Sequence, residues 1–343
     1  MQKEITNFGP LLDKNGNLCE KGFAKSLIRE YNRNDIKAKK IRIKEWDYYL
    51  IHNEEYAICL TLDDNAYMSM ESVSIIDFKN AKEKTVSPIQ AMSMGKIGLP
   101  PSSKTGDVTY TSKDVDMSFK HIPNGRVLDV RMNNFHEGKT FTCHFELIDE
   151  PQDSMVIATP FDKPGYFYYN QKIVGFKVNG YFSLGDFKYE YNQDNTRAIL
   201  DWGRGVWTYE NTWYWGAGAG VVDGHEVGFN IGYGFGDTSA ASENVIFYDG
   251  ILHKLEDVVF NIPQDNNGNY LYTNPWTFTS SDGRFEMAFE PIINRASCTD
   301  VKLILSDQNQ VFGKFNGFMI LDDGSKIELK DFLAFAERVH NKW

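Results

Sequence analysis

The run TWYWGAGAGVVDGHEVGFNIGY, Thr212–Tyr233, sets how the rest of the chain is read. Two apolar stretches, Thr212–Val222 and Glu226–Tyr233, flank the dipeptide Asp223-Gly224. Asp-Gly and Asn-Gly supply the positive φ angles that a tight hairpin turn requires. The pattern therefore predicts two antiparallel strands. The small residues of Gly216–Gly220 let another segment or a ligand approach one of them closely. The same punctuation recurs along the chain. Asn-Gly stands at 15–16, 124–125, 179–180, 267–268 and 316–317, and Asp-Gly at 249–250, 282–283 and 323–324.

Further strand-like runs lie between these turns: 40–51, 55–62, 68–78, 127–132, 140–147, 172–182, 243–248 and 311–321. Many alternate apolar with polar residues, the period of a strand with one buried face. Helix signals are confined to 20–31 and 331–340 (DFLAFAERVH). Roughly 18–20 strands exceed what one small barrel of about eight uses. The expectation is an all-β chain of two tandem antiparallel barrels or curved sandwiches with short terminal helices. The two prolines and glycine of Ala158–Tyr166 (ATPFDKPGY) place the expected junction there, giving domains 1–160 and 161–343, the second carrying the site.

Composition narrows the function. The 343 residues carry a net charge of −11, which argues against wrapping nucleic acid or docking on anionic membranes through a basic patch. The 24 Phe, 18 Tyr and 7 Trp, with only 11 Pro, suit a sheet-rich core. No apolar run reaches the length of a membrane span, and MQKEITNFGPLLDKNG lacks a signal-peptide core, so the expected location is cytoplasmic. Cys19, Cys59, Cys143 and Cys298 stand far apart and read as reduced structural thiols.

Most catalytic signatures are absent. GAGAG at Gly216–Gly220 has neither the spacing nor the following helix of a phosphate cradle. The Asp13 and Asp265 turns place Gly too early for a calcium loop, and Glu337-x-x-His340 is a single copy of a motif that needs two. No metal or cofactor is expected.

What remains is the window 200–249. Trp202, Trp207, Trp213 and Trp215 fall within fourteen residues, and Trp213 and Trp215, two apart, share one face of a strand. Asp201 and Arg204 sit among these rings, with Arg204 the nearest expected partner of Asp201. Asn230, Glu243 and Asn244 add polar groups. Aromatic walls with a few placed polar groups are how a ligand pocket is built. Asp201 and Glu243 are the candidate catalytic carboxylates; Trp202, Arg204, Trp207, Trp213, Trp215, Asn230 and Asn244 are the candidate binding residues.

The segments DWGRGVW, WYWGAG, VGFNIGYG and ENVIFYDG in this window resemble the bacterial DUF2804 family. So do GPLLDKNGNL, RIKEWDYY, TPFDKPGYFYYNQKI, FEPIINR, QVFGKFNGFMILDDG and AERVHNKW, in that order along nearly the whole chain. More remotely, the D-W and W-x-W elements are similar to double-barrel lipocalin-like proteins such as carotenoid hydratases, tocopherol cyclases and AttH-type proteins. That resemblance implies two calycin-like barrels and a hydrophobic ligand. The chain departs from the hydratases in having Arg204 where they carry a histidine, and in lacking a carboxylate in Phe229–Gly232.

Three functions follow. The first is an enzyme whose desolvated carboxylate acts on an apolar, isoprenoid or lipid-like molecule as hydratase, dehydratase, cyclase or isomerase. The second is a carrier using the same pocket without turnover. The third is a carboxylate-dependent enzyme acting on a glycoside, with sugars stacked on the aromatics. In each the partner is a small molecule.

Overall fold

The structure, a computed structural model, describes residues 2–301 and 304–342. The Thr212–Tyr233 hairpin forms as expected. Strand Glu210–Val222 pairs antiparallel with His225–Tyr233, and Asp223 and Gly224 take φ of 51° and 85°. Nearly all regular structure is antiparallel strand. Among the described residues no helix is long and apolar enough to cross a membrane.

Two large curled sheets contain most of the chain. The first has 14 strands. Its centre runs Tyr56–Asp64, Ile43–His52, Arg197–Val206, Phe167–Leu184, Lys139–Ile148 and Gly125–His136, in order of pairing. The second has nine strands and is centred on Lys326–Lys342, which lies between Glu210–Val222 and Ile304–Ile320. Each sheet encloses its own core. Phe119, Phe141, Phe145, Phe176, Phe182 and Trp202 fill the first. Phe229, Phe260, Phe278, Phe285, Phe289 and Phe315 fill the second. A third cluster lies between the outer faces of the two sheets and joins them; it holds Tyr48, Tyr168, Trp207, Trp215, Phe235 and Phe335. This third layer is the seam.

Two expectations are corrected. Residues 20–31 are not helical: Gly22–Ala24 adds to the edge of Met155–Pro160, and a Cβ at Gly22 would lie 2.4 Å from Lys3 O. Residues 331–340 belong to strand Lys326–Lys342. There Phe332, Ala334 and Ala336 face the second core while Leu333 and Phe335 face the seam. A strand buried on both faces loses its alternation, so in sequence it reads like a helix. The seam segment running to Lys342 is therefore strand; Trp343 lies outside the described residues.

The expected junction at 158–166 lies within a hairpin of the first sheet. Residues 161–166 merely connect Met155–Pro160 to its hairpin partner Phe167–Leu184. Phe167–Leu184 and Arg197–Val206 are central strands of the first sheet, so sheet membership changes at 207–209. Proline and glycine mark turns, and a turn inside a barrel looks the same in sequence as a turn between barrels.

Because Lys326–Lys342 is the middle strand of the second sheet, deleting residues 331–343 should remove cooperative unfolding of that half. Urea melts followed by tryptophan fluorescence check this; a single unchanged transition would contradict the placement.

Candidate functional site

Strand period sorts the predicted residues onto different faces. Asp201 points into the seam, whereas Trp202 and Arg204 point into the first core. Arg204 does not pair with Asp201. It donates to Asp47 Oδ1 at 3.0 Å and to the carbonyls of Pro100 and Trp46, with its guanidinium 4.3 Å over Trp202. Positions 201 and 204 are three apart, an odd number, which places them on opposite faces of a strand. Trp202 and Arg204 thus belong to the packing of the first barrel. Asn244 is also structural: its Oδ1 accepts from Gly232 N at 2.7 Å and its Nδ2 donates to Glu256 O at 3.0 Å.

The remaining candidates meet in the seam, where two rows of side chains face each other. Tyr48, Asp201 and Lys172 are register partners across the first sheet. Trp215, Glu337, Gln310 and Arg295 are register partners across the second. Lys172 Nζ lies 2.8 Å from Asp201 Oδ1 and 4.0 Å over the Trp215 ring, so it links the rows. Tyr48 and Phe335 meet the same indole edge-on. Trp215 Nε1 donates to Asn230 Oδ1 at 2.7 Å, and Asn230 Nδ2 donates to the Glu243 carbonyl at 2.9 Å. Trp207 and Trp213 pack edge-on with each other and with Phe235.

Glu243 precedes strand Val245–Tyr248, and its carboxyl lies over Gly232, where a Cβ would come 3.1 Å from Oε1. Burial pushes this carboxyl up; Lys172 draws it down and Asp201 pushes it up again. Its Oε2 is sealed from solvent and has no hydrogen-bond partner among the described residues.

Glu337 differs. Trp213 Nε1 donates to its Oε1 at 3.1 Å and Gln310 Nε2 to its Oε2 at 2.9 Å. Burial outweighs these donors and raises its carboxyl to about 7. In sequence Glu337 was paired with His340 on a helix; on the strand the two face opposite ways, and His340 meets Thr212 Oγ1 at 2.7 Å instead.

Lys172, Glu337, Asn170 and Tyr168 were not among the predicted site residues. A signal for three of them exists: Tyr168, Asn170 and Lys172 alternate within YYNQKIVGF and so share one face of a strand. Beyond them on the same face, Val174 packs against Gly228, where a Cβ would meet its Cγ1 at 2.8 Å. There the strand bulges at Gly175 (φ 111°) and a cleft of about 210 Å³ opens between the sheets. Val174, Val227, Gly228 and Phe247 line its apolar part. The rim carboxylates are paired, Asp149 with Lys177, Glu226 with Arg197 and Asp249 with His225. The cleft ends at Val174, about 6.6 Å along the strand from Lys172.

Two curled antiparallel sheets joined by a buried polar seam define an all-β protein of double-barrel type. The chain belongs to the family described as domain of unknown function DUF2804, whose model matches residues 2–343. No match is found among curated proteins. Among solved structures it is similar to kievitone hydratase from Nectria haematococca, with 10% identity and a TM-score of 0.47 over 98% of each chain. It is also similar to an AttH protein from Nitrosomonas europaea, with 13% identity and a TM-score of 0.49 over 90% of this chain and 95% of that one. A third is CghA with Sch210972, at 9% identity and a TM-score of 0.42 over 98% and 97%.

Two predictions follow from the seam. Asp201→Asn leaves Lys172 buried without its countercharge and should cost about 3–5 kcal/mol in chemical denaturation. A loss under about 1 kcal/mol would show that the pair is not structural. For Glu337 the folded value near 7 exceeds the ordinary 4.5, so its protonated form favours the fold. Its contribution is complete below about pH 4.5 and is lost as pH rises towards 7. Glu337→Gln should remove that decline from the pH–stability profile; an unchanged profile would refute it.

Proposed function

We propose that the chain is an acid–base enzyme that adds water to, or removes it from, an apolar small molecule in the seam. The observation that carries this reading is the Glu243 carboxyl. It is raised by burial, has one oxygen without a partner, and lies in a cluster with Lys172, Asp201 and a wall of tryptophans. A protonated carboxyl there donates its proton to a substrate hydroxyl as the C–O bond breaks and water leaves. The carboxylate so formed then takes a proton from the adjacent carbon, which yields the alkene and restores Glu243. Hydration is the same path reversed. Positive charge developing on carbon is stabilised by the Trp213 indole. Asp201, held by Lys172 and Asn170, positions Lys172 and does not transfer the proton itself.

The packing of the barrels also favours the seam. Both inner cores are filled by aromatic side chains, whereas a carrier of the lipocalin kind needs a hollow barrel.

Incubating the protein with a panel of terpenoid and aryl-alkyl alcohols and the matching alkenes, read by mass spectrometry, should show loss or gain of one water. Glu243→Gln should lower that rate by about 10²–10⁴-fold while the fold persists. Full activity in Glu243→Gln would overturn the reading.

A further inference from the structure

We propose that Asn170 and Glu243 together receive a single substrate hydroxyl group, so that the substrate is an alcohol and Asn170 is its positioning residue. The proposal rests on the acid–base reading of the seam given above and extends it to the chemical class of the ligand.

Asn170 is fully buried on the seam face of strand Phe167–Leu184, between Tyr168 and Lys172. Chemistry fixes the orientation of its amide. Nδ2 donates to Asp201 Oδ1 at 2.5 Å, and that same oxygen receives Lys172 Nζ at 2.8 Å. Turning the amide over would press its carbonyl oxygen against the carboxylate, so Oδ1 must be the atom left over. This Oδ1 is buried with no hydrogen-bond partner among the described residues. Oε2 of Glu243 is in the same state.

Asn170 donates to Asp201, whose charge also acts on Glu243. Buried polar atoms are satisfied in the great majority of cases, so two orphans around one carboxylate call for a group that is not part of the chain. Each neighbouring donor side chain already has an acceptor. Lys172 serves Asp201, Trp215 Nε1 serves Asn230, and Trp213 and Gln310 serve Glu337. A hydroxyl group meets both needs at once: its hydrogen goes to Asn170 Oδ1, and its oxygen lone pair takes the proton of the Glu243 carboxyl. An ether or a ketone has no hydrogen for Asn170. A carboxylate ligand would be repelled by the Asp201 carboxylate. The carbon skeleton attached to the hydroxyl would then lie against Trp213 and Trp215.

The test compares two rigid aromatic probes, 2-naphthol and its methyl ether 2-methoxynaphthalene, by equilibrium dialysis against the full chain. The wild type should bind the naphthol at least about tenfold more tightly, because a site built for an O–H rejects the analogue lacking it. In Asn170→Ala that preference should fall to about twofold or less. Should Asn170→Ala fail to fold, Asn170→Thr, which keeps a hydroxyl for Asp201, replaces it with the same expectation. Equal binding of the two probes by the wild type, or an unchanged preference in the Asn170 variant, would overturn the proposal. Neither arm requires turnover. Selective naphthol binding without reaction of any alcohol would keep the hydroxyl site and defeat the acid–base reading. Turnover that depends on Glu243 without hydroxyl preference would do the reverse.

Discussion

Lys172 is the bolt between the two halves of the molecule. Its ammonium leaves the first sheet, touches the Asp201 carboxylate beside it, and comes to rest on the face of Trp215 in the second sheet. A buried ammonium is tolerated only when paired and well surrounded, and here a carboxylate and an indole share that task. Once the pair is fixed, Trp215 is fixed. Its N–H then holds Asn230, which in turn holds the backbone at Glu243. The polar seam is therefore a chain of dependencies that starts from one cross-strand ion pair.

That arrangement separates two jobs that carboxylates perform. Asp201 is held by two donors and keeps Lys172 in place. Glu337 is held on both oxygens and fixes the Trp213 indole. Glu243 keeps one oxygen free. All three carboxyls reach the layer between the sheets, so position alone does not distinguish them. What distinguishes them is how many donors each has been given, and the least satisfied one is the one available to a ligand.

Much of this was legible in the sequence, and the failures have a common cause. The Asp-Gly and Asn-Gly turns mark local backbone geometry that every hairpin must satisfy, so the all-β architecture could be read directly. Trp213, Trp215, Asn230 and Glu243 do converge, because the hairpin that carries the first three is local and Glu243 leads into the next strand. Arg204 was misassigned because neighbours in sequence were treated as neighbours in space, although an odd spacing on a strand separates them. Lys172 and Glu337 were missed for a deeper reason. They come from strands about thirty residues before and about ninety after the tryptophan window, and only the packing of one sheet against the other brings them together. Strand Lys326–Lys342 hid further by being buried on both faces, which erases the alternation that betrays a strand.

The position of a bound alcohol would decide whether the seam is the working site. A crystal structure of the protein soaked with 2-naphthol should show the ring against Trp213 and Trp215 and the hydroxyl within hydrogen-bond distance of Glu243 Oε2 and Asn170 Oδ1. Naphthol lodged inside either barrel, or confined to the outer surface with the seam closed and empty, would contradict that placement.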